Sequence, residues 1–161
     1  MSKLVRFSRI MKICKITSEQ TIPIRHAVLW PDKPTDFCIL PDDAQGLHYG
    51  VFFQARLVTV ASIYINGKHA RLRKFATLEN FQGNGCGTTL IQYIIEELSA
   101  MEIESLWCDA RLTAVAFYNR LGFEMEEAHF LKHGVAYCRM TKHFDLTSPK
   151  SLNIKAEEIS N

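Results

Sequence analysis

The chain has 161 residues, of which 47% are apolar and 22% charged, with a formal net charge of +2. That is enough chain for one domain with a real core, and the apolar share excludes a disordered segment. The near balance of charge argues against a dedicated nucleic-acid binder, which carries a strong basic stripe, and leaves a small-molecule site as the better expectation.

Met11 to Thr17 alternates apolar and polar residues and reads as a first strand, with residues 1–10 as a flexible arm before it. Thr17 followed by Gln20 matches a capping box and opens a helix through Trp30, with Pro23 as an interruption and Pro31 as its end. Residues 31–46 carry Pro31, Pro34, Pro41 and Gly46 and read as a loop. Residues 48–54 and 57–65 are rich in β-branched and aromatic side chains and read as a hairpin. Asn66-Gly67 signals a type I′ turn into a third strand, 69–77. A helix follows with its apolar stripe on Leu90, Ile91, Ile94, Ile95 and Leu98. Then come a short buried strand over 105–110, a helix over 112–121 stopped by Gly122, and strands near 123–131 and 135–140 joined by His133-Gly134. The order β-α-βββ-α-β-α-ββ implies an α/β fold with a mixed sheet. We expect a domain over 11–144 and a loose polar tail over 145–161.

The cysteines, Cys14, Cys38, Cys86, Cys108 and Cys138, form no CxxC pair and no cluster with histidines. A disulfide scaffold or a zinc site needs another pattern, so five reduced thiols and no metal are expected. No apolar run approaches the roughly 18 residues needed to span a bilayer, and the N-terminal stretch lacks the apolar centre of a signal peptide. The expected location is cytoplasmic.

The main chemical signal is Gln82-Gly83-Asn84-Gly85-Cys86-Gly87-Thr88, set between a strand and a helix. Glycines let the backbone approach an anion, and the first helical turn presents unpaired N–H groups at the positive end of its dipole. A diphosphate suits such a nest. The bland alternative is a tight turn that needs glycine for positive φ and binds nothing. A dinucleotide fingerprint fails, because Thr88 or Leu90 stands where its last glycine belongs. A Walker loop fails too, because no lysine follows Gly87.

Gln82-Gly83-Asn84-Gly85-Cys86-Gly87 resembles the Q/R-x-x-G-x-G/A signature of the GNAT superfamily of N-acetyltransferases. Ala114-x-x-Phe117-Tyr118-x-x-x-Gly122-Phe123 looks like that family's second motif, and the element order agrees from about Lys12 to Lys142. The resemblance implies a central mixed, mostly antiparallel sheet flanked by helices, and acetyl transfer from acetyl-coenzyme A (acetyl-CoA) to a primary amine. It implies that Gln82 to Thr88 hold the cofactor's pyrophosphate, mainly through backbone N–H groups. Phe75, Ala76 and Thr77 would pair with the pantetheine amides, and Ala114 and Phe117 would line the groove. Tyr118 would place its hydroxyl near the thioester sulfur as the catalytic proton donor. One departure is Arg111, where many members carry asparagine. It could reach the cofactor or face the acceptor.

Arg71 and Arg73 share one face of the strand over 69–77. They either pair with surface carboxylates or hold an anionic group of an acceptor or cofactor. Glu79 and Asp109 are candidates by position for removing a proton from the amine. Expected partners are an amine acceptor, small molecule or peptide, with a homodimer admitted and neither nucleic acid nor membrane. The competing reading is a non-catalytic acyl-CoA-binding sensor or interaction module.

Overall fold

The computed structural model describes residues 11–145, so the expected arm and nearly all of the expected tail lie outside the described residues. The elements run β-α-βββ-α-β-α-ββ, giving a mixed α/β fold of mostly antiparallel strands with flanking helices. Strand β1 is Met11–Ile16, helix α1 Ser18–Leu29, and strands β2, β3 and β4 are Leu47–Phe53, Arg56–Asn66 and His69–Thr77. Helix α2 is Cys86–Ala100, strand β5 Ser105–Arg111, helix α3 Val115–Arg120, and strands β6 and β7 are Glu124–Lys132 and Val135–His143. Among the described residues no helix is long and apolar enough to cross a membrane.

Local chemistry accounts for most of these boundaries. The capping box forms as expected: the Gln20 N–H donates to Thr17 Oγ1 at 3.2 Å, and the Thr17 N–H donates to Gln20 Oε1 at 2.8 Å. Pro23 lies inside α1 without ending it, and the helix stops before Pro31. The stretch 31–46 is not wholly irregular, since Thr35–Cys38 and Asp43–Gln45 are short 3-10 turns. The last helix is shorter than expected because Leu112–Ala114 winds as a 3-10 turn before α3 begins.

The turns are less regular than the sequence suggests. Gln54 and Ala55, which join β2 to β3, both adopt positive φ (50° and 66°) although neither is glycine or asparagine. The Asn66-Gly67 expectation needs correction. Asn66 ends β3, the loop residues are Gly67 and Lys68, and only Gly67 (φ 63°) is left-handed, the pattern of a type II′ turn. His133 and Gly134, with φ of 49° and 76°, form the type I′ pair between β6 and β7.

The described residues fall into two compact units. The first takes the described residues through 65 together with 71–94. In it β1 pairs antiparallel with β2, Cys14 opposite Gly50, and β2 pairs antiparallel with β3, Gly50 opposite Val60. Ile24, Val60 and Ala76 form a buried cluster, with Val28, Leu29, Leu57 and Leu78 packed against it, and this seats α1 on the strands. Each fully buried aliphatic side chain is worth about 1.5–3 kcal/mol relative to exposure. The α2 stripe goes inside as expected at Leu90, Ile91 and Ile94 here and at Leu98 in the second unit, whereas Ile95 is only half-buried.

The second unit takes residues 66–70 and 95 onward. There β7 pairs antiparallel with both β5 and β6, so Asp109 stands opposite Arg139 and Phe130 opposite Tyr137. Side chains alternate across these strands. Leu106, Cys108, Ala110, Cys138 and Met140 are buried on one face. Asp109, Arg111, Tyr137 and Arg139 occupy the other.

Candidate active site

In the first unit β4 runs into the glycine loop. Ala76 is buried against Ile24 and Val60, and Thr77 Oγ1 lies 3.0 Å from Thr59 Oγ1. Contacts that Ala76 and Thr77 could offer a ligand therefore come from the main chain. Just before them Lys74 has φ 54° inside a strand, and its ammonium lies 4.5 Å from the Trp30 ring centre. A bulky residue held in the left-handed region costs about 1–3 kcal/mol and is concentrated at ligand sites.

Gln82 Nε2 donates to the Thr77 carbonyl at 3.0 Å, and Asn84 Nδ2 donates to the Phe81 carbonyl at 3.2 Å. The two amides thus fold the loop on itself. Gly83 and Gly85 adopt φ of 78° and 81°, and a Cβ built on either meets nothing within 4 Å. Sterics inside the protein do not demand these glycines; the backbone conformation does, and it leaves the outer face of the loop open. The Gly85 carbonyl accepts the Thr89 N–H at 2.9 Å, the first bond of α2. The N–H groups of Cys86, Gly87 and Thr88 precede that bond, at the positive end of a 15-residue helix. Burial of Cys86 pushes its thiol up, so this residue offers a ligand only its backbone.

The same unit holds a buried ionic network that sequence reasoning missed. Arg25, fully buried in α1, donates through Nη1 to Asp43 Oδ2 at 2.9 Å and to the Cys38 carbonyl at 3.0 Å. Through Nη2 it donates to Asp43 Oδ1 at 3.0 Å and Ser62 Oγ at 2.9 Å. Asp43 also accepts from the Leu40 N–H and the Tyr64 hydroxyl, both at 2.8 Å, and His48 bridges Ser62 and the Asp43 carbonyl. Burial alone would raise the Asp43 carboxyl, but the bonds from Arg25, Leu40 and Tyr64 outweigh it and bring it to about 2. Tyr64 is pushed up to about 12 by burial and by its bond to Asp43. The legible signal was spacing, since Thr21, Ile24, Arg25 and Val28 share one face of α1 and the first three are buried.

In the second unit Tyr118 lies on α3, buried at 7% exposure, edge-on to Phe117 and Phe123 at 5.1 and 5.3 Å. Burial pushes its hydroxyl well above the ordinary tyrosine range, and Cys108 beside it adds to this through charge and a hydrogen bond. The shift favours the protonated hydroxyl. Ala114 precedes α3 in the 3-10 turn. Across β5 and β7, Arg139 Nε donates to Asp109 Oδ1 at 3.3 Å and Arg111 Nε donates to the Tyr137 hydroxyl at 3.3 Å, while Lys132 at the end of β6 lies 3.9 Å from Asp109 Oδ2.

Among the other residues singled out from the sequence, Phe75, Ala76 and Thr77 do lead into the loop, and Arg71 is half-buried on the same strand. Arg73 pairs with Asp42 at 3.4 Å and stacks over Tyr64 at 5.5 Å, so it is already partly engaged. Glu79 is exposed, whereas Asp109 is committed to two cations.

A strand, a glycine-lined loop and a helix follow one another here, an arrangement that presents main-chain N–H groups to an anion. Residues 41–144 match the family model described as the acetyltransferase (GNAT) domain. That is more than half of the chain, so this protein belongs to the GNAT family of acyltransferases. It is 31% identical over 124 residues to YitI of Bacillus subtilis strain 168, an uncharacterized N-acetyltransferase, a match covering 71% of this chain and 83% of that protein. A solved structure from Lactobacillus plantarum, assigned as an N-acetyltransferase, matches with a TM-score of 0.74 at 20% identity, covering 83% of this chain and 97% of that one. A GNAT family acetyltransferase from Elizabethkingia anophelis, solved with acetyl-CoA bound, matches with a TM-score of 0.67 at 16% identity over 84% of this chain and 99% of that one.

Proposed function

We propose that this chain transfers an acetyl group from acetyl-CoA to a primary amine by direct attack within a ternary complex, in the cytoplasm. The observation that carries the reading is the open face of the loop, where left-handed Gly83 and Gly85 precede a run of helix-start N–H groups. Residues 82–88 hold the diphosphate through the main chain, and the backbone of Phe75, Ala76 and Thr77 pairs with the pantetheine arm. Ala114 and Phe117 line the groove. Bound acetyl-CoA supplies an activated thioester and a thiol leaving group.

Tyr118 is the group we assign to protonate the departing sulfur. A thiol of pKa about 8.5 can leave unprotonated, so the donor accelerates the step without being obligatory. The acceptor nitrogen must reach the thioester without its extra proton, and exposed Glu79 is freer to take that proton than Asp109. Arg71, Arg73 and Arg111 are the side chains suited to an anionic group on the acceptor or the cofactor. Arg111 keeps its two terminal nitrogens beyond the bond that its Nε makes to Tyr137.

The burial of Tyr118 and its bond to Cys108 equally favour a packing role, which is what a non-catalytic acyl-CoA sensor would keep. Release of free coenzyme A thiol over a panel of amines, amino acids, polyamines and peptides tests the reading. Acceptor-dependent release with stoichiometric acetylated product is the expected result. Binding of acetyl-CoA with no release for any acceptor would leave the sensor in its place.

A further inference from the structure

The open face of β5, β7 and β6 in the second unit gathers positive charge. Arg111 of β5 stands opposite Tyr137 of β7, and Tyr137 opposite Phe130 of β6, so one row crosses three strands. Arg111 Nε donates to the Tyr137 hydroxyl, and the Tyr137 ring stacks on Phe130 at 6.0 Å with 18° between the planes. On the same face Lys132 lies 5.5 Å over Tyr137, and Arg139 lies 4.0 Å over Trp107. The rings hold both cations in place, yet their side chains stay 49% and 43% exposed. Asp109 lies beneath them at 10% exposure, so the carboxylate is covered and the cations form the surface. Three cations against one carboxylate leave an excess equal to the formal +2 of the entire chain, so the rest of the chain sums to zero. Glu124 and Glu126 stand at the far end of the face, beside Thr141, which polarises it.

We infer that this face docks an acidic polypeptide segment, the part of the acceptor that flanks its amine. The inference rests on the acetyl-transfer reading above and names the acceptor class which that reading leaves open. Arg111 leads directly into the 3-10 turn Leu112–Ala114 and on to α3 with Tyr118, and the turn packs against β7. The cationic end of the face thus adjoins the segment that carries Tyr118. From β5 to β6 the cations spread over about 10 Å, at about 4.8 Å per strand, wider than one carboxylate can bridge. A chain with several acidic side chains spans that distance. A second copy of this protein fits less well. Three strands by five residues cover roughly 240 Å², against about 800 Å² per partner for a stable interface.

The test uses the full chain and three peptides of equal length, each with a free amino terminus and a central lysine, flanked by Glu, Gln or Arg. Release of coenzyme A thiol reports acetylation, and fluorescence anisotropy of peptides labelled at the carboxyl end reports binding. Kd and KM for the Glu peptide should lie about tenfold below those for the Gln peptide, since one exposed ion pair gives a factor of a few and three cations act together. High salt should erase the preference. Lys132→Glu, a change at an exposed side chain, should remove most of it and leave kcat for the Gln peptide unchanged. Full preference in a Lys132→Glu, Arg111→Gln double variant would overturn the assignment. Tighter binding of a single-stranded oligonucleotide than of the Glu peptide would also overturn it and give the face to nucleic acid. Turnover of any amine with no discrimination among the peptides would overturn it while leaving the acetyl-transfer reading intact. Charge-selective peptide binding with no turnover of any acceptor would keep the docking face and remove the transfer reading.

Discussion

The glycine loop and the Arg25–Asp43 network both handle charge, and they do so in opposite ways. The loop is exposed, built from main chain, and leaves its donors facing outward. The network is buried, built from side chains, and directs Arg25 and Tyr64 inward onto Asp43. The contrast separates two jobs that sequence alone runs together. An open donor set is available to a ligand, whereas a closed one spends its charge on holding the connection 31–46 against α1 and β3. Tyr118 stands between these cases, buried like the network yet assigned chemistry like the loop.

Tyr118→Phe is therefore the sharpest probe. If the hydroxyl donates a proton, kcat should fall by roughly 10²–10⁴ while the fold and the cofactor affinity hold. Because the group would act in the transition state, kcat/KM should fall in parallel. Full turnover by the phenylalanine variant with a saturating acceptor would place Tyr118 with the packing residues.

Next in size is Arg25→Met, which leaves Asp43 charged and buried without its main partner. A loss of about 3–5 kcal/mol in denaturant unfolding is expected. A double variant, Arg25→Met with Asp43→Leu, should lose less than the two single variants combined. Strict additivity would show that the pair is not coupled in the way its geometry indicates.

A smaller effect follows from pH. Asp43 is depressed from an ordinary 3.8 to about 2, and that gap is worth about 2.4 kcal/mol at 1.36 kcal/mol per pH unit. A depressed carboxylate contributes its stability above its unfolded value. The contribution should be complete above about pH 4 and be lost as pH falls from there through about 2. Asp43→Asn should flatten this part of the stability profile, and an unchanged acid limb would assign the loss to other carboxylates.

Smallest of all for stability is Gly85→Val. The new side chain has open space, so the cost to folding is the left-handed conformation alone, about 1–2 kcal/mol. The same side chain should weaken acetyl-CoA by at least about tenfold, close to 1.4 kcal/mol, by standing where the ligand must approach. Undiminished binding would return the loop to the status of an ordinary turn.

Most element positions were legible because their signals are local. The Thr17–Gln20 box, the α2 stripe and the His133-Gly134 turn each lie within a few residues, and each formed. Long-range partnerships left no such trace. Arg25 meets Cys38, Asp43 and Ser62, which lie 13, 18 and 37 residues away, and no spacing rule links them. Positive φ at Gln54, Ala55 and Lys74 was equally hidden, since none of these residue types advertises it. The loop itself was readable, but its openness was not. Whether a glycine is there for tight packing or for backbone shape is settled only by what surrounds it.

The main-chain character of the loop also bears on how such a protein can drift through sequence space. A grip made of N–H groups does not depend on which side chains hang between its glycines. Exposed Asn84 can be exchanged if the local fold survives, and Cys86, whose side chain is turned inward, answers to the core rather than to the ligand. Substitution tolerance here should alternate residue by residue, with left-handed positions intolerant and their neighbours permissive. What the loop asks of a sequence is a backbone path more than particular side chains.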